Sequence, residues 1–235
     1  MDNRVRALLR RELAGYFQSP VAYVVGVVFL GASAALFFST FFLVQRLEMR
    51  QFFSLLPLLL ALLMPALAMR LIAEERRRGT WEVLATLPVG TARIVAAKFG
   101  ALWLTGAALL VPTLFFALSL RLLGPLDPGP VAGGYLGALL LAGAYGAVGL
   151  WASAVARTET VALVTGTVVT LVLSLVEFFL VLLPGGLVPV VQYLATTHHF
   201  SGFTRGVIDS RSLVYFFSLT LFFLVLAHHR LVQER

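Results

Sequence analysis

Apolar positions run through this chain in six long, nearly unbroken blocks: Val21–Val44, Phe52–Leu71, Ile94–Leu120, Val131–Val155, Val161–Leu183 and Leu213–Ala227. A membrane-spanning helix takes about 20 mostly apolar residues, at 1.5 Å rise per residue across a hydrocarbon core of roughly 30 Å. Five blocks reach that length. The last has 15 uncharged residues and extends to His229 if His228 and His229 sit at the interface, so the sixth span is read as 213–229. Backbone groups in lipid must be hydrogen-bonded internally, and barrel strands would alternate apolar with polar residues. The pattern therefore predicts an all-α integral membrane fold: a single six-helix domain over residues 20–235, preceded by a separate N-terminal element at 1–19.

In that element Val5, Leu8, Leu9, Leu13, Tyr16 and Phe17 recur at three- and four-residue spacing, ending at Ser19-Pro20. This places them on one side of an amphipathic helix lying on the inner membrane surface. Glu12 falls inside the apolar arc, which fits a protein contact better than lipid. The alternative is a basic retention tail with no specific contact. The following apolar run of 24 residues exceeds a signal-peptide core of about 7–15 and is expected to stay in the mature protein. Near the other end, residues 184–211 begin PGGLVP and are too apolar for a solvated loop. They read as two short hydrophobic pieces re-entering the outer leaflet.

Composition agrees with lipid as the solvent. The 235 residues are 60% hydrophobic and 12% charged, with a mean hydropathy of +0.94, against about 45–50% apolar and 25% charged in soluble domains. The net charge is +7, but 17 of 18 basic residues are arginines clustered between apolar blocks, and no basic face interleaved with aromatics suggests nucleic acid. There is no cysteine, so disulfides and thiolate chemistry are excluded. Thirteen basic residues flank one side of the predicted spans and five (Arg46, Arg50, Arg121, Arg205, Arg211) the other, which puts both termini in the cytoplasm.

The most informative segment follows the second span, EERRRGTWEVLATLPV at 74–89. A charged stretch leaves the membrane and Gly79 breaks it. Thr80 can cap a new helix with Glu82 in its first turn, Trp81, Leu84 and Ala85 share a face, and Pro88 ends the element. An aromatic beside a leucine outside the bilayer, rimmed by charge, marks a protein contact; alternatively Trp81 anchors in the headgroup layer.

Residues 74–89 resemble the signature of permease subunits of type V ABC exporters, the second type in older naming. RREL…YF.SP (Arg10–Pro20) and HFSGFTRGVID…VYF (His199–Phe216) resemble the gliding-motility-associated branch. The resemblance covers essentially the whole chain; Ala85 stands where a larger aliphatic residue would be expected. It implies a permease of the bacterial cytoplasmic membrane that pairs with a second copy, or with a paralogous permease bearing an extracytoplasmic domain, and receives two separate ABC ATPase subunits. It further implies that residues 80–87 form a coupling helix seated in an ATPase groove, with Glu74, Glu75, Thr80, Trp81, Glu82, Leu84 and Leu87 at that contact. The 184–211 segment would close the outer end of the pathway. In keeping with this, the chain has no GxxxxGK[ST] loop, and no catalytic residue, cofactor or metal is expected in it. The rival reading is a non-transporting membrane component that transmits ATP-driven change or acts as a scaffold.

Weaker signals complete the picture. Glu177 is the one acid inside a predicted span, about six residues before its outer end, and either lines a pathway or pairs with Arg205 or Arg211. His198-His199 and His228-His229 point about 100° apart on a helix and do not suit a shared metal. Gly133, Gly137, Gly143, Gly146 and Gly149 line the fourth span and permit close helix packing, within the chain or alternatively at a dimer face, and Pro57, Pro65 and Pro112 suggest kinks in the second and third.

Overall fold

A computed structural model describes residues 3–44, 49–80, 90–182, 186 and 188–233. Every regular element among them is helical. Helix α1 covers Asn3–Gln18 and α2 Pro20–Val44; α3 (Arg50–Ala68) continues almost directly into α4 (Arg70–Arg77). Helix α5 (Thr91–Leu110) passes through a 3-10 turn, Val111–Thr113, into α6 (Leu114–Leu123). Helix α7 is Pro128–Val155, and α8 (Glu159–Leu175) tightens into a 3-10 stretch, Val176–Leu182. Two short helices, α9 (Val188–Leu194) and α10 (Thr196–Phe203), precede α11 (Ser210–Val232). Six helical stretches are long and apolar enough to cross a membrane: α2, α3–α4, α5–α6, α7, α8 and α11. The chain is a multi-pass membrane protein.

Local chemistry explains the boundaries. Asp127 caps α7, its carboxylate accepting from the Gly129 N–H at 3.1 Å, with Pro128 at a first-turn position that needs no donor. Thr158 caps α8 and Asp209 caps α11, through Val161 N at 3.4 Å and Arg211 N at 2.9 Å. Pro112 lies in the 3-10 turn of the third span, where a residue without an N–H interrupts the α ladder. Pro57 and Pro65 lie within α3, and the break between α3 and α4 falls at Met69, one turn beyond Pro65. The third span begins at Thr91 and the second runs on to Arg77, beyond the 94 and 71 read from hydropathy, because both continue as helix into polar sequence.

Helix α7 is the axis of the bundle, packing against α3, α5, α8, α10 and α11. Its glycines make this possible. A Cβ on Gly134 would lie 2.4 Å from the Phe53 ring, one on Gly149 2.7 Å from the Ala68 Cβ, and one on Gly133 2.5 Å from the Phe203 carbonyl oxygen. These glycines serve packing within the chain, where small residues let backbones approach. Hydroxyls reinforce the contacts: Thr170 Oγ1 donates to the Ala61 carbonyl at 2.7 Å, and Trp103 Nε1 to Leu139 at 2.9 Å. Outward faces are apolar, as on α8, where Val161, Val164, Val168 and Val172 form an exposed stripe at helical spacing. Helix α2 is the peripheral span, resting mainly on α3, α1 and the 3-10 turn before α6.

Gly134→Ala should therefore lower stability by about 1–3 kcal/mol, the scale of overpacking a dense core. Gly31→Ala, on a side of α2 with nothing within 4 Å, should be neutral or slightly stabilising. Thermal unfolding of both variants in one detergent tests this; equal behaviour would show that α7 is not tightly packed.

Candidate functional site

The charges of this chain converge where α1, α4, α5 and the α7–α8 connection meet. Lys98, the single lysine of the sequence, lies on α5 with its side chain 1% exposed. Its ammonium has three protons and three acceptors: Glu12 Oε1 at 3.1 Å, Glu75 Oε1 at 2.8 Å and the Leu71 carbonyl at 2.8 Å. A buried cation is tolerated only when paired and hydrogen-bonded in this way. Glu12 reaches it because the apolar face of α1 lies on α5, close enough that a Cβ on Gly100 would sit 3.0 Å from Leu9 Cδ1. The protein contact expected for Glu12 is thus Lys98.

Beside this ammonium, Arg70 and Glu74, one turn apart on α4, form a bidentate pair at 2.7 and 2.8 Å. The remaining Arg70 nitrogen, Nη1, donates to Ser19 Oγ at 2.6 Å, fixing the bend between α1 and α2. Tyr16 donates to the Leu67 carbonyl at 2.9 Å. Burial and then the Glu12 carboxylate hold its phenol well above the ordinary pKa, with Arg70 opposing, so it remains a neutral donor.

The other flank of α4 is tied to the α7–α8 connection. Ser153 Oγ on α7 accepts from Ile72 N and Ala73 N, both at 3.1 Å, and donates to the Met69 carbonyl at 3.0 Å. One hydroxyl thus inserts into the backbone ladder where α3 passes into α4. Arg76 Nη1 donates to the Ala156 carbonyl at 3.0 Å, and Glu159, at the start of α8, faces Arg77 at 3.2 Å and Arg70 at 3.7 Å. Arg77 is 63% exposed, so its pair with Glu159 contributes at most about 1 kcal/mol.

Of the residues singled out in the sequence, Glu74 and Glu75 are brought into this lattice. Thr80 is exposed, follows Gly79 at a φ of +70°, and donates to the Glu75 carbonyl at 3.2 Å. Trp81, Glu82, Leu84 and Leu87 lie outside the described residues. Glu177 is half-buried in the 3-10 stretch Val176–Leu182, while Arg205 and Arg211 are exposed, and no ion pair joins them among the described residues. Sequence reasoning missed Lys98, Arg70, Ser153 and Glu159. A lysine inside an apolar block and an acid inside the apolar arc of α1 were the available signals for the Lys98–Glu12 pair.

The opposite end of the bundle is held by neutral groups. The Tyr145 hydroxyl, at the centre of α7, meets Ser174 Oγ and, at 2.6 Å, Thr196 Oγ1, and Thr197 Oγ1 donates to the Ser174 carbonyl at 2.6 Å. These contacts pin α10 to α7 and α8. His199 stacks on Tyr215 of α11 at 4.0 Å, bonds the Tyr193 carbonyl through Nε2 at 2.9 Å and lies 3.3 Å from Ser212 Oγ. Burial chiefly lowers its pKa, helped by His198, while the Tyr193 carbonyl and Asp209 raise it.

Residues 44–227, most of the chain, match the family model described as ABC-2 family transporter protein. No curated protein matches the chain.

Lys98→Met would leave Glu12 and Glu75 buried without their cation, at a cost of about 3–5 kcal/mol. Adding Glu75→Gln should recover part of the loss, and apparent Tm values of both variants test it; a single variant as stable as the wild type would show the lattice to be solvated. For His199, the unfolded pKa near 6.5 exceeds the folded one. The unfolded chain therefore takes up a proton first, and stability present above about pH 6.5 is lost as pH falls through the folded pKa. The apparent Tm should drop between pH 7.5 and 5, and drop less in His199→Gln; identical pH profiles would contradict this.

Proposed function

We infer the function of this chain from its family: it belongs to the ABC-2 family of transporter proteins. It is a membrane-spanning permease, not itself the ATPase, and the family implies an ABC ATPase partner. Our reading goes further. The permease works in a bacterial cytoplasmic membrane as an exporter of the gliding-motility-associated branch. It pairs with a second copy or a paralogous permease, two ATPase subunits supply hydrolysis, and both termini are cytoplasmic. Helix α1 is the amphipathic interface helix, residues 80–87 are the coupling helix, and residues 184–211 form a re-entrant closure of the outer end. Glu177, Arg205 and Arg211 are assigned to that outer pathway.

The observation that carries this reading is the ionic lattice directly preceding the coupling segment. Thr80 hangs from α4 through Gly79. Helix α4 is in turn tied to α1 and α5 through Lys98, to α7 through Ser153 and to α8 through Glu159. A push on residues 80–87 thus reaches several spans at once, and the links through Lys98 and Ser153 cannot part without stranding a buried charge or backbone groups. Helices arranged in this way convert closure of a cytoplasmic motor into a concerted shift of the inner ends of the spans. The substrate route itself lies between two such permeases.

Trp81→Ala tests the coupling. If Trp81 and Leu84 seat in an ATPase groove, the loss should be about 2 kcal/mol, as for a buried aromatic hot spot, or roughly 30-fold in subunit affinity. The apparent Tm of the isolated permease should not change. Undiminished co-purification with the ATPase and undiminished stimulation of hydrolysis would instead place Trp81 in the headgroup layer.

A further inference from the structure

We propose that the cleft between α1 and the inner ends of α2 and α3–α4 binds one anionic phospholipid, its phosphate on Arg11 and its glycerol and first methylenes on the span ends. The cleft has a volume of about 460 Å³ and two unlike walls. Pro20, Val21, Ala22, Ala66 and Leu67 form an apolar wall from the ends of two spans, while Arg11, Glu12 and Arg78 belong to the polar wall. Water alone leaves the first wall poorly solvated, and a small hydrophilic solute uses only the second. An amphiphile with its phosphate at the level of α1 satisfies both.

Charge accounting selects the sign of the headgroup. Lys98 is saturated by Glu12, Glu75 and a carbonyl, and Arg70 by Glu74 and Ser19. Glu74 also takes Arg78. Arg11 lines the cleft and is exposed; its charge acts on Glu75, but among the described residues no carboxylate stands within ion-pair distance of it. Its planar guanidinium is suited to bidentate capture of a phosphate.

A second observation concerns Gly15. A glycine within a helix costs about 0.5–1 kcal/mol relative to alanine, and tight packing commonly accounts for one, as at Gly134. Gly15 lies within α1 and lines the cleft, yet a Cβ there would meet nothing within 4 Å. The missing side chain leaves the cleft open and makes no contact of its own. The proposal takes from the functional reading only that this end of the bundle lies at the inner membrane surface.

The test uses the purified full-length permease in detergent, with dioleoyl phosphatidylglycerol as probe, native mass spectrometry to count retained lipid, and thermal unfolding to report its effect. The wild type should retain one phosphatidylglycerol saturably and gain stability from it. Arg11→Ala should bind it roughly ten-fold more weakly, the scale of one charge-assisted hydrogen bond. Gly15→Leu, a better helix former that fills the cleft, should abolish the saturable site while the lipid-free protein unfolds no earlier than the wild type. Equal retention by all three chains, an equal hold on phosphatidylcholine, or displacement by inorganic phosphate each overturns the proposal, the last by assigning the cleft to a free anion. Neither an ATPase nor a topology assay enters the test, so its failure is distinct from failure of the permease reading.

Discussion

Lys98 carries the only ammonium side chain of the sequence into a position that is 1% exposed, and a charge there must be met on every side or stay out of the fold. The three acceptors that meet it come from two helices: Glu12 from the one before the first span, Glu75 and the Leu71 carbonyl from the end of the second, all against the third, which carries Lys98. Buried ion pairs often contribute little net stability, because desolvation offsets attraction; separating the partners is what costs several kcal/mol. The ammonium therefore acts less as a source of stability than as a register pin. It specifies how far α1 lies along α5 and at what height α4 ends. Arg70 repeats the device next door, reaching both Glu74 and Ser19.

That pin is useful only if the helices behind it are rigid, and rigidity here comes from small residues rather than large ones. Lipid tails are as apolar as leucine, so burial of apolar surface does not drive helices together inside a bilayer; close packing and hydrogen bonds do. The glycines of α7 admit Phe53, Ala68 and the Phe203 backbone to distances that no Cβ allows. Ser153, near the lower end of the same helix, satisfies three backbone groups at the junction of α3 and α4. One helix thus joins the dense middle of the bundle to its charged end.

The six spans were legible in the sequence because a bilayer demands an uninterrupted apolar run of fixed length, a one-dimensional signal. The role of the α7 glycines was legible for a similar reason, since their spacing survives in sequence. The candidate site was legible only in part. Glu74 and Glu75 stood out as charges beside a glycine break, and Glu74 pairs locally with Arg70 and Arg78, but Glu75 meets Lys98 from 23 positions away, and the second acid on that ammonium, Glu12, lies 86 positions from it. Counting basic residues assigned Lys98 to a side of the membrane without revealing that it is buried, because orientation statistics ignore which face of a helix a residue occupies. Glu159 is a first-turn acid of α8, and its approach to Arg70 and Arg77 depends on the height at which α8 starts, which the sequence pattern does not carry.

The two ends of the bundle are held by different forces, and this bears on how it moves. The charged end is a lattice of ion pairs and charge-assisted bonds among α1, α4, α5 and α8, and parting those of the buried Lys98 strands a charge. At the other end neutral hydroxyls and stacked rings join α10 to α7, α8 and α11. Neutral hydrogen bonds contribute about 0.5–1.5 kcal/mol each and exchange readily with other neutral partners. A displacement imposed at the charged end therefore travels with that end as one block and is absorbed where contacts are fewest or most exchangeable. Among the described residues helix α2 rests mainly on α3, α1 and one 3-10 turn, with Phe37 stacked on Phe116 of α6, and α9 and α10 are short pieces held by side chains. The fold thus pairs an ionic base with a rim of neutral, more exchangeable contacts, the division of labour that the proposed drive from one side would need.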